Sequence, residues 1–309
     1  MSPRARIDDN AAWGRASPRL SVLIPFLRDD PSRLIEALSA VPTPGAELVL
    51  LDDGTGDADL GERLKTRAGA LPLPVRLITL PANEGRSRGR NRLAQAARGR
   101  HLLFLDSDML PDAPTFLSDW LALIDAEDPA VAFGGFSLKQ APTDPRFAVH
   151  RAMAERSETL DAAARSLAPE KYVYTSNLLV RRDVFDAEAF DPAFTGWGWE
   201  DVEWAMRASR RWSVRHVDVP ATHMGLDETA ALAGKYEQSA ANFARVVDRH
   251  FDVVSTYPSY RAARRLKRVP GLGMIRPWFR RLALSEAAPV SVRAFSLRLY
   301  RAALYADRV

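Results

Sequence analysis

The stretch HLLFLDSDMLP, His101 to Pro111, decides how this chain is to be read. Leu102 to Leu105 form a short apolar run with the length and composition of a strand buried on both faces. Two carboxylates, Asp106 and Asp108, follow at once, separated only by Ser107. Burying charge there is costly unless something pairs it. The rest of the chain has to supply that partner.

Working outward, the same pattern of strand followed by polar residues recurs upstream. LSVLIPF (Leu20 to Phe26), AELVLLDD (Ala46 to Asp53) and PVRLITL (Pro74 to Leu80) have the character of strands. DPSRLIEALSAV, GDADLGERLKTRAGA and GRSRGRNRLAQAARG lie between them with helical spacing, Pro31 suiting a first turn and Gly99 a C-cap. This alternation argues for a parallel sheet covered by helices. Ligands of such sheets bind outside the carboxyl ends of the strands. Each strand here ends in polar residues: Arg28 and Asp29, Asp52 and Asp53, Asn83, then Asp106 and Asp108. The second half is less regular. APTFLSDWLALIDA predicts a helix, AVAFGGFSLK a strand, and Arg146 to about Leu167 a polar helical stretch. KYVYTSNLLVRRDVF predicts a strand running into a helix, GWGWEDVEWAMRASRR a glycine-rich loop feeding a helix, and Thr229 to His250 a further helix.

Composition narrows the setting. The 309 residues are 47% apolar and 27% charged, the balance of an ordinary globular protein. With no cysteine, disulfides and thiolate metal sites are excluded, and a reducing cytoplasm is the simplest setting. MSPRARIDDNAAWGR lacks the apolar core of a signal peptide, and no run is long enough to span a membrane. A net charge of +4 does not point to nucleic acid.

Two carboxylates flanking one small residue suit a hard divalent cation, Mg²⁺ or Mn²⁺ rather than Zn²⁺, which can in turn bridge a diphosphate. The same spacing also serves turns and helix caps. Its place after a buried strand, in a fourth strand–helix unit, favours the metal reading.

LSVLIPF, LVLLDDGTGD, NEGRSRGRNRL, LLFLDSDM and GWGWED occur in an order and spacing that resemble family 2 glycosyltransferases of the GT-A fold, over roughly Arg19 to Gly225. The last motif is similar to the GWGGED of inverting galactosyltransferase-like enzymes. The resemblance implies an α/β, Rossmann-like mixed sheet flanked by helices, with a helical C-terminal extension. It implies a catalytic domain over 1–225, with a nucleotide-binding half at 19–110 and an acceptor half at 111–225, and a basic helical region over 226–309. It further implies a nucleotide-sugar donor, foremost a UDP-sugar, a divalent metal, and transfer with inversion to a glycan or lipid-linked acceptor in cell-surface polysaccharide synthesis.

Residue by residue, the resemblance makes Asp108 the main metal ligand, with Asp106 nearer the ribose and Ser107 between them. Asp53, then Asp52, would contact the base or ribose, and Pro25 would lie against the base; strand-ending turns explain the two carboxylates as well. Arg86 and Arg90 would bind donor phosphates at a helix N-terminus, whereas Arg92 and Arg98 suit a solvated helix face. Asp201 would be the base that takes the acceptor proton, and Glu200 a contact to acceptor or donor sugar. Trp197 would stack on a sugar, and Trp199, replacing a glycine, would narrow the acceptor cleft. His223 stands where many members supply a third metal ligand, with a structural histidine the competing reading and His216 the weaker candidate. Asn177, with Ser176, would border the donor sugar.

Between Arg261 and Arg281 every charged residue is basic, seven arginines and Lys267, interleaved with Leu266, Leu272, Ile275, Trp278, Phe279 and Leu282. Such a stretch over 261–282 suits peripheral contact with an anionic membrane. A basic helix packed on the catalytic domain is the alternative, and nucleic acid is not expected. Pro270, Gly271, Gly273 and Pro277 should break any single long helix here. Two rival functions remain open at this point: a nucleotidyltransferase, which needs the carboxylates but not the GWGWED loop, and a non-catalytic binding or scaffold protein.

Overall fold

The apolar runs of the first hundred residues are buried on both faces, as expected of strands covered by helices on each side. The computed structural model describes residues 5–309. Its first part is β1 (Arg6–Asp9), β2 (Leu20–Phe26), α1 (Ser32–Ser39), β3 (Ala46–Asp52), α2 (Ala58–Ala70), β4 (Val75–Thr79), α3 (Arg86–Ala96) and β5 (His101–Phe104). Then come β6 (Met109–Pro111), α4 (Phe116–Glu127), β7 (Val131–Phe133), β8 (Phe136–Ser137), α5 (Ala148–Ser157), α6 (Ala162–Arg165), β9 (Leu178–Arg181) and α7 (Arg182–Ala187). The chain closes with α8 (Glu200–Ala208), β10 (Val214–His216), β11 (Ala221–His223), α9 (Thr229–Arg249), α10 (Phe251–Val254), α11 (Pro258–Leu266), α12 (Leu272–Leu284) and α13 (Val290–Ala306).

The main sheet has eight strands in the order β1-β4-β3-β2-β5-β9-β7-β10. β2, β3, β4 and β5 run parallel, and β7 pairs parallel with β10. β1 is antiparallel to β4, and β9 is antiparallel to both of its neighbours, β5 and β7. The sheet is therefore mixed. One apolar cluster fills the side under α1, α2 and α4, and a second fills the side under α3, α7 and α8.

Pro25 is tolerated inside β2 for a geometric reason. The Leu23 carbonyl accepts from the Leu105 amide, so alternate residues, Pro25 included, turn their backbone groups toward β5. Pairing with β5 has ended by Leu23↔Phe104, so the missing N–H leaves no gap in the ladder.

Three expectations need correction, the last of them in part. The stretch read as one strand, AVAFGGFSLK, is two strands in different sheets. The break falls at Gly134 and Gly135: a Cβ on Gly134 would stand 2.4 Å from the Asn177 amide nitrogen, and Gly135 has φ +90°. The polar helix of 146–167 is likewise interrupted. A 3₁₀ turn at Pro145–Phe147 leads into α5, and α6 starts afresh with the Asp161 side chain accepting from the Ala164 amide. The expected break near 270 falls at Gly271, whose φ is +70°, but α12 then runs on through Pro277.

β8 joins β6 and β11 in a three-stranded sheet, with β11 antiparallel to β6 and His223 opposite Met109. This register returns the chain to the residue after Asp108. The C-terminal helices form two further apolar clusters, one of which takes in Phe194, Val202 and Met206. The loop before α8 is thus packed against the helical extension.

Candidate active site

The partner of the Asp106 carboxylate is Arg90. Its guanidinium donates to Asp106 at 2.9 Å and to Glu200 at 3.0 Å, although those three residues come from separate parts of the chain. Arg90 is 1% exposed. It therefore holds the two acids together rather than reaching into the cleft, in place of the phosphate contact expected of it. Glu200 is 4% exposed, and its second oxygen has no hydrogen-bond partner among the described residues. Removing one member of a buried ion network leaves an uncompensated charge, at about 3–5 kcal/mol. Arg90→Met is accordingly expected to lower the melting temperature clearly; an unchanged melting temperature would show that the network is dispensable.

Asp201 adjoins this network. Burial, and then the neighbouring charge of Glu200, push its carboxyl up to about 7, a value suited to a base working near neutrality. It sits in the first turn of α8, where helix N-termini stabilise carboxylates. The loop before it is unusual: Gly196, Gly198 and the non-glycine Trp199 all have positive φ, Trp199 at +75°. Such a conformation costs about 1–3 kcal/mol and persists where the surroundings enforce it. Asn242 of α9 does so by donating to the Thr195 and Gly198 carbonyls, each at 2.9 Å. The Trp199 indole N–H donates to the Tyr305 hydroxyl of α13 at 3.0 Å, and its ring packs on Phe243. Trp199 is thus an anchor to the helical extension and does not narrow the cleft as expected. Trp197, partly exposed, lies 6.0 Å from the Tyr236 ring.

The other acidic end is built around Asp108. Its carboxylate lies 3.4 Å from His223 Nε2. Despite burial, His223 holds the Asp108 carboxyl below its usual range, and Asp108 in turn raises the imidazole. A Cβ on Gly225 would come within 1.9 Å of an Asp108 oxygen, so the backbone here closes tightly around the carboxylate. A carboxylate and an imidazole side by side, Asp108 and His223, are a donor pair that fits a divalent cation, Mn²⁺ somewhat better than Mg²⁺. His150 and Glu158 of the α5 region gather around His223, ligand atoms within 4.8 Å of one another. The His150 Nδ1 accepts the Asp227 amide at 2.7 Å. Its neutral ring then carries the proton on Nε2 and presents a donor, not a ligand lone pair. His216 is tied to Arg165 and the Pro169 carbonyl, a structural role.

Toward the nucleotide half, the Asp53 oxygens accept the Glu84 and Gly85 amides at 2.8 and 3.1 Å, and Asp52 accepts the Thr55 amide at 2.8 Å. Both acids therefore shape the loops at the strand end. Arg86, half-exposed in the first turn of α3, points its guanidinium to within 4.0 Å of Glu200. Arg92 and Arg98 are not merely solvated: each pairs with an acid, Glu84 and Glu47. Ser107 and Pro25 are partly exposed. Asn177 is fully buried and donates to the Gly135 and Val219 carbonyls, so it braces the strand crossing and does not border the donor; Ser176 is also buried. Sequence reasoning missed Asp29, whose carboxyl is raised by burial and then by Asp108, and Lys235, which pairs with Asp227 beside Trp197. Asp29 carried a signal, since it closes the first strand turn; Lys235, inside a long helix, carried none.

Residues 21–188, more than half of the chain, match the model of the family described as glycosyl transferase family 2. A 116-residue stretch, 37% of the chain, is 34% identical to an uncharacterised protein, y4gI, of Sinorhizobium fredii (strain NBRC 101917 / NGR234), and spans 12% of that protein. In shape, the chain is similar to the mannosyltransferase PcManGT from Pyrobaculum calidifontis, solved with GDP-Man and Mn²⁺ (TM-score 0.60, 14% identity, 96% of this chain and 89% of that one). It is also similar to S. aureus TarS 1–349 solved with UDP-GlcNAc (TM-score 0.53, 18% identity, 93% and 89%). The mixed sheet flanked by helices is that of the GT-A glycosyltransferases. By its matching span and its fold, the chain belongs to glycosyl transferase family 2.

Proposed function

We propose that this chain moves a sugar from a nucleotide-sugar donor, a UDP-sugar first among candidates, to a hydroxyl of a glycan or lipid-linked acceptor, with inversion. The observation that carries this reading is the pairing of two unlike acidic centres joined through Arg90. Asp108 with His223 suits a cation, and Asp201 suits a base. A nucleotidyltransferase has no use for the second centre. Known structures of the same fold hold UDP-GlcNAc, or GDP-Man with Mn²⁺, which supports a donor of this class.

In this reading Asp108, Asp106 and His223 hold the divalent cation, which when bound supplies charge stabilisation to the leaving nucleoside diphosphate. Arg86 adds a positive charge on the donor side. Asp53, Asp52, Pro25 and Ser107 form the nucleotide wall, Trp197 the platform for a sugar, and Glu200 a hydrogen-bond acceptor for it. Asp201 takes the proton from the attacking hydroxyl. Residues 1–225 form the catalytic domain, with 226–309 as an extension that braces its base loop.

The first test is a thermal-shift and calorimetric screen of UDP, GDP, dTDP and CMP, each with and without Mn²⁺. Metal-dependent stabilisation by one nucleotide is expected, and it names the donor base. No response to any of them favours the scaffold reading.

We further assign peripheral membrane contact to the stretch 261–282, in a setting where the acceptor is lipid-linked. No described helix is long and apolar enough to cross a membrane. Yet α12 is apolar on two sides. Ala283 is buried, while Met274, Ile275, Trp278 and Leu282, spaced along the other side, are exposed, Trp278 by 66%. Arg281 lies over the Trp278 ring at 5.4 Å, and Arg264, Arg265, Lys267 and Arg268 are exposed nearby in sequence. Trp278→Glu is expected to weaken binding to phosphatidylglycerol vesicles by about tenfold or more without altering nucleotide binding. Equal vesicle binding by both proteins removes the assignment.

A further inference from the structure

Most arginines in this fold answer an acid, but three beside the acceptor side of the cleft do not. Arg298 and Arg301 stand one turn apart on α13, and Arg156 lies near the end of α5. Among the described residues, none of the three has a carboxylate within the 4.0 Å of an ion pair. They crowd one another: burial, and then the charges of Arg156 and Arg301, press the Arg298 guanidinium below its usual value. Glu158 is the acid whose charge reaches Arg301, from beyond ion-pair distance, and Val149 and Met153 of α5 share one apolar cluster with Ala294 and Leu297 of α13, which sets the two helices side by side.

The cluster is joined to the cleft by aromatic rings. The Arg301 guanidinium carbon is 5.0 Å from the Tyr236 ring centre, and Tyr236 is 6.0 Å from Trp197 in the loop that carries Asp201. One turn beyond Arg301 on the same helix, Tyr305 accepts the Trp199 indole N–H. The α13 segment that holds the arginines is therefore the one that anchors the base loop.

Cations that lack an ion-pair partner and repel one another are stabilised by an anion placed between them. Guanidinium forks match the oxygens of a phosphate bidentately. We propose that Arg301, Arg298 and Arg156 bind a phosphate carried by the acceptor, so that the acceptor is an anionic, phosphate-bearing molecule and not a neutral sugar. This inference rests on the acceptor lying on the Trp197 side of the cleft, as in the proposed function.

The test is calorimetric titration of the full chain with inorganic phosphate and with glycerol 1-phosphate, without divalent metal. The double variant R298Q/R301Q is compared with R33Q, which alters an exposed arginine of α1 remote from every assigned site. The double variant is expected to lose about tenfold or more in phosphate affinity, and R33Q to keep the wild-type value. Equal affinity in the double variant, the same loss in R33Q, or no saturable phosphate binding by the wild-type chain each overturns the proposal. Mn²⁺-dependent nucleotide binding is measured on every variant. Its retention by R298Q/R301Q shows that the protein is folded, and its absence from the wild type counts against the donor reading without touching the phosphate result. If the double variant fails to fold, R156Q on the exposed end of α5 carries the comparison, with the same loss expected. Dihexanoyl phosphatidate, titrated below its micelle concentration, separates the two carriers: tighter binding than glycerol 1-phosphate assigns the phosphate to a lipid, and equal binding to a glycan.

Discussion

Asp201→Asn is expected to keep metal-dependent nucleotide binding and to lose transfer by about 10²–10⁴-fold, the range typical of removing a positioned general base. The amide has nearly the same shape and can still accept the Val202 amide that Asp201 accepts at 2.8 Å, so the loop geometry should survive. What it cannot do is take a proton. The pH profile of the wild type provides an independent check. Burial and Glu200 push the Asp201 carboxyl up to about 7, so below that pH it is protonated and unable to act as a base. Transfer should therefore rise as pH increases through about 7 and level off above it. Glu200→Gln removes the charge that helps to raise Asp201, so the rising limb should move to lower pH. A flat profile, or transfer retained by the Asn variant, would take Asp201 out of the mechanism.

Asp108→Ala is expected to abolish the metal dependence of nucleotide binding, with at least about 100-fold weaker metal affinity, since even residues that only orient metal ligands are worth 10–100-fold. Two further substitutions separate charge from position. Gly225→Ala keeps every ligand but places a Cβ where an Asp108 oxygen stands, 1.9 Å away, so the carboxylate must move. It should weaken Mn²⁺-dependent binding without changing net charge. His223→Ala removes the imidazole that faces Asp108 at 3.4 Å and should weaken metal binding by less than the loss of Asp108. Equal UDP affinity with and without Mn²⁺ in the wild type would sink the metal assignment, whatever the variants do.

Much of this site was legible because its carboxylates close local units. A buried strand that ends in Asp106 and Asp108, or in Asp52 and Asp53, announces itself through the abrupt change from apolar to acidic residues, and the period of the pattern places those residues at the carboxyl edge of the sheet. The GWGWED loop is legible for the same reason, since its glycines and the following helical spacing are neighbours in sequence. Arg90 shows where such reading stops. Its position at the start of a helix suggested a phosphate contact, but its guanidinium is drawn inward by Glu200, a residue 110 positions away. Asn177, which the resemblance places at the donor-sugar pocket, is instead the brace at the split between β7 and β8.

By itself, the sequence determined the alternation of strands and helices, the acidic ends of the strands, and the glycine-rich entry to α8. These depend on hydrophobic period and turn chemistry, which act over a few residues. Only the tertiary structure decided that β9 runs antiparallel between β5 and β7, that Trp199 anchors to Tyr305, and that α5 and α13, which carry Arg156, Arg298 and Arg301, pack together. Each of those outcomes is set by which distant helix or strand covers a given face, and packing partners separated by a hundred residues leave no local periodic trace.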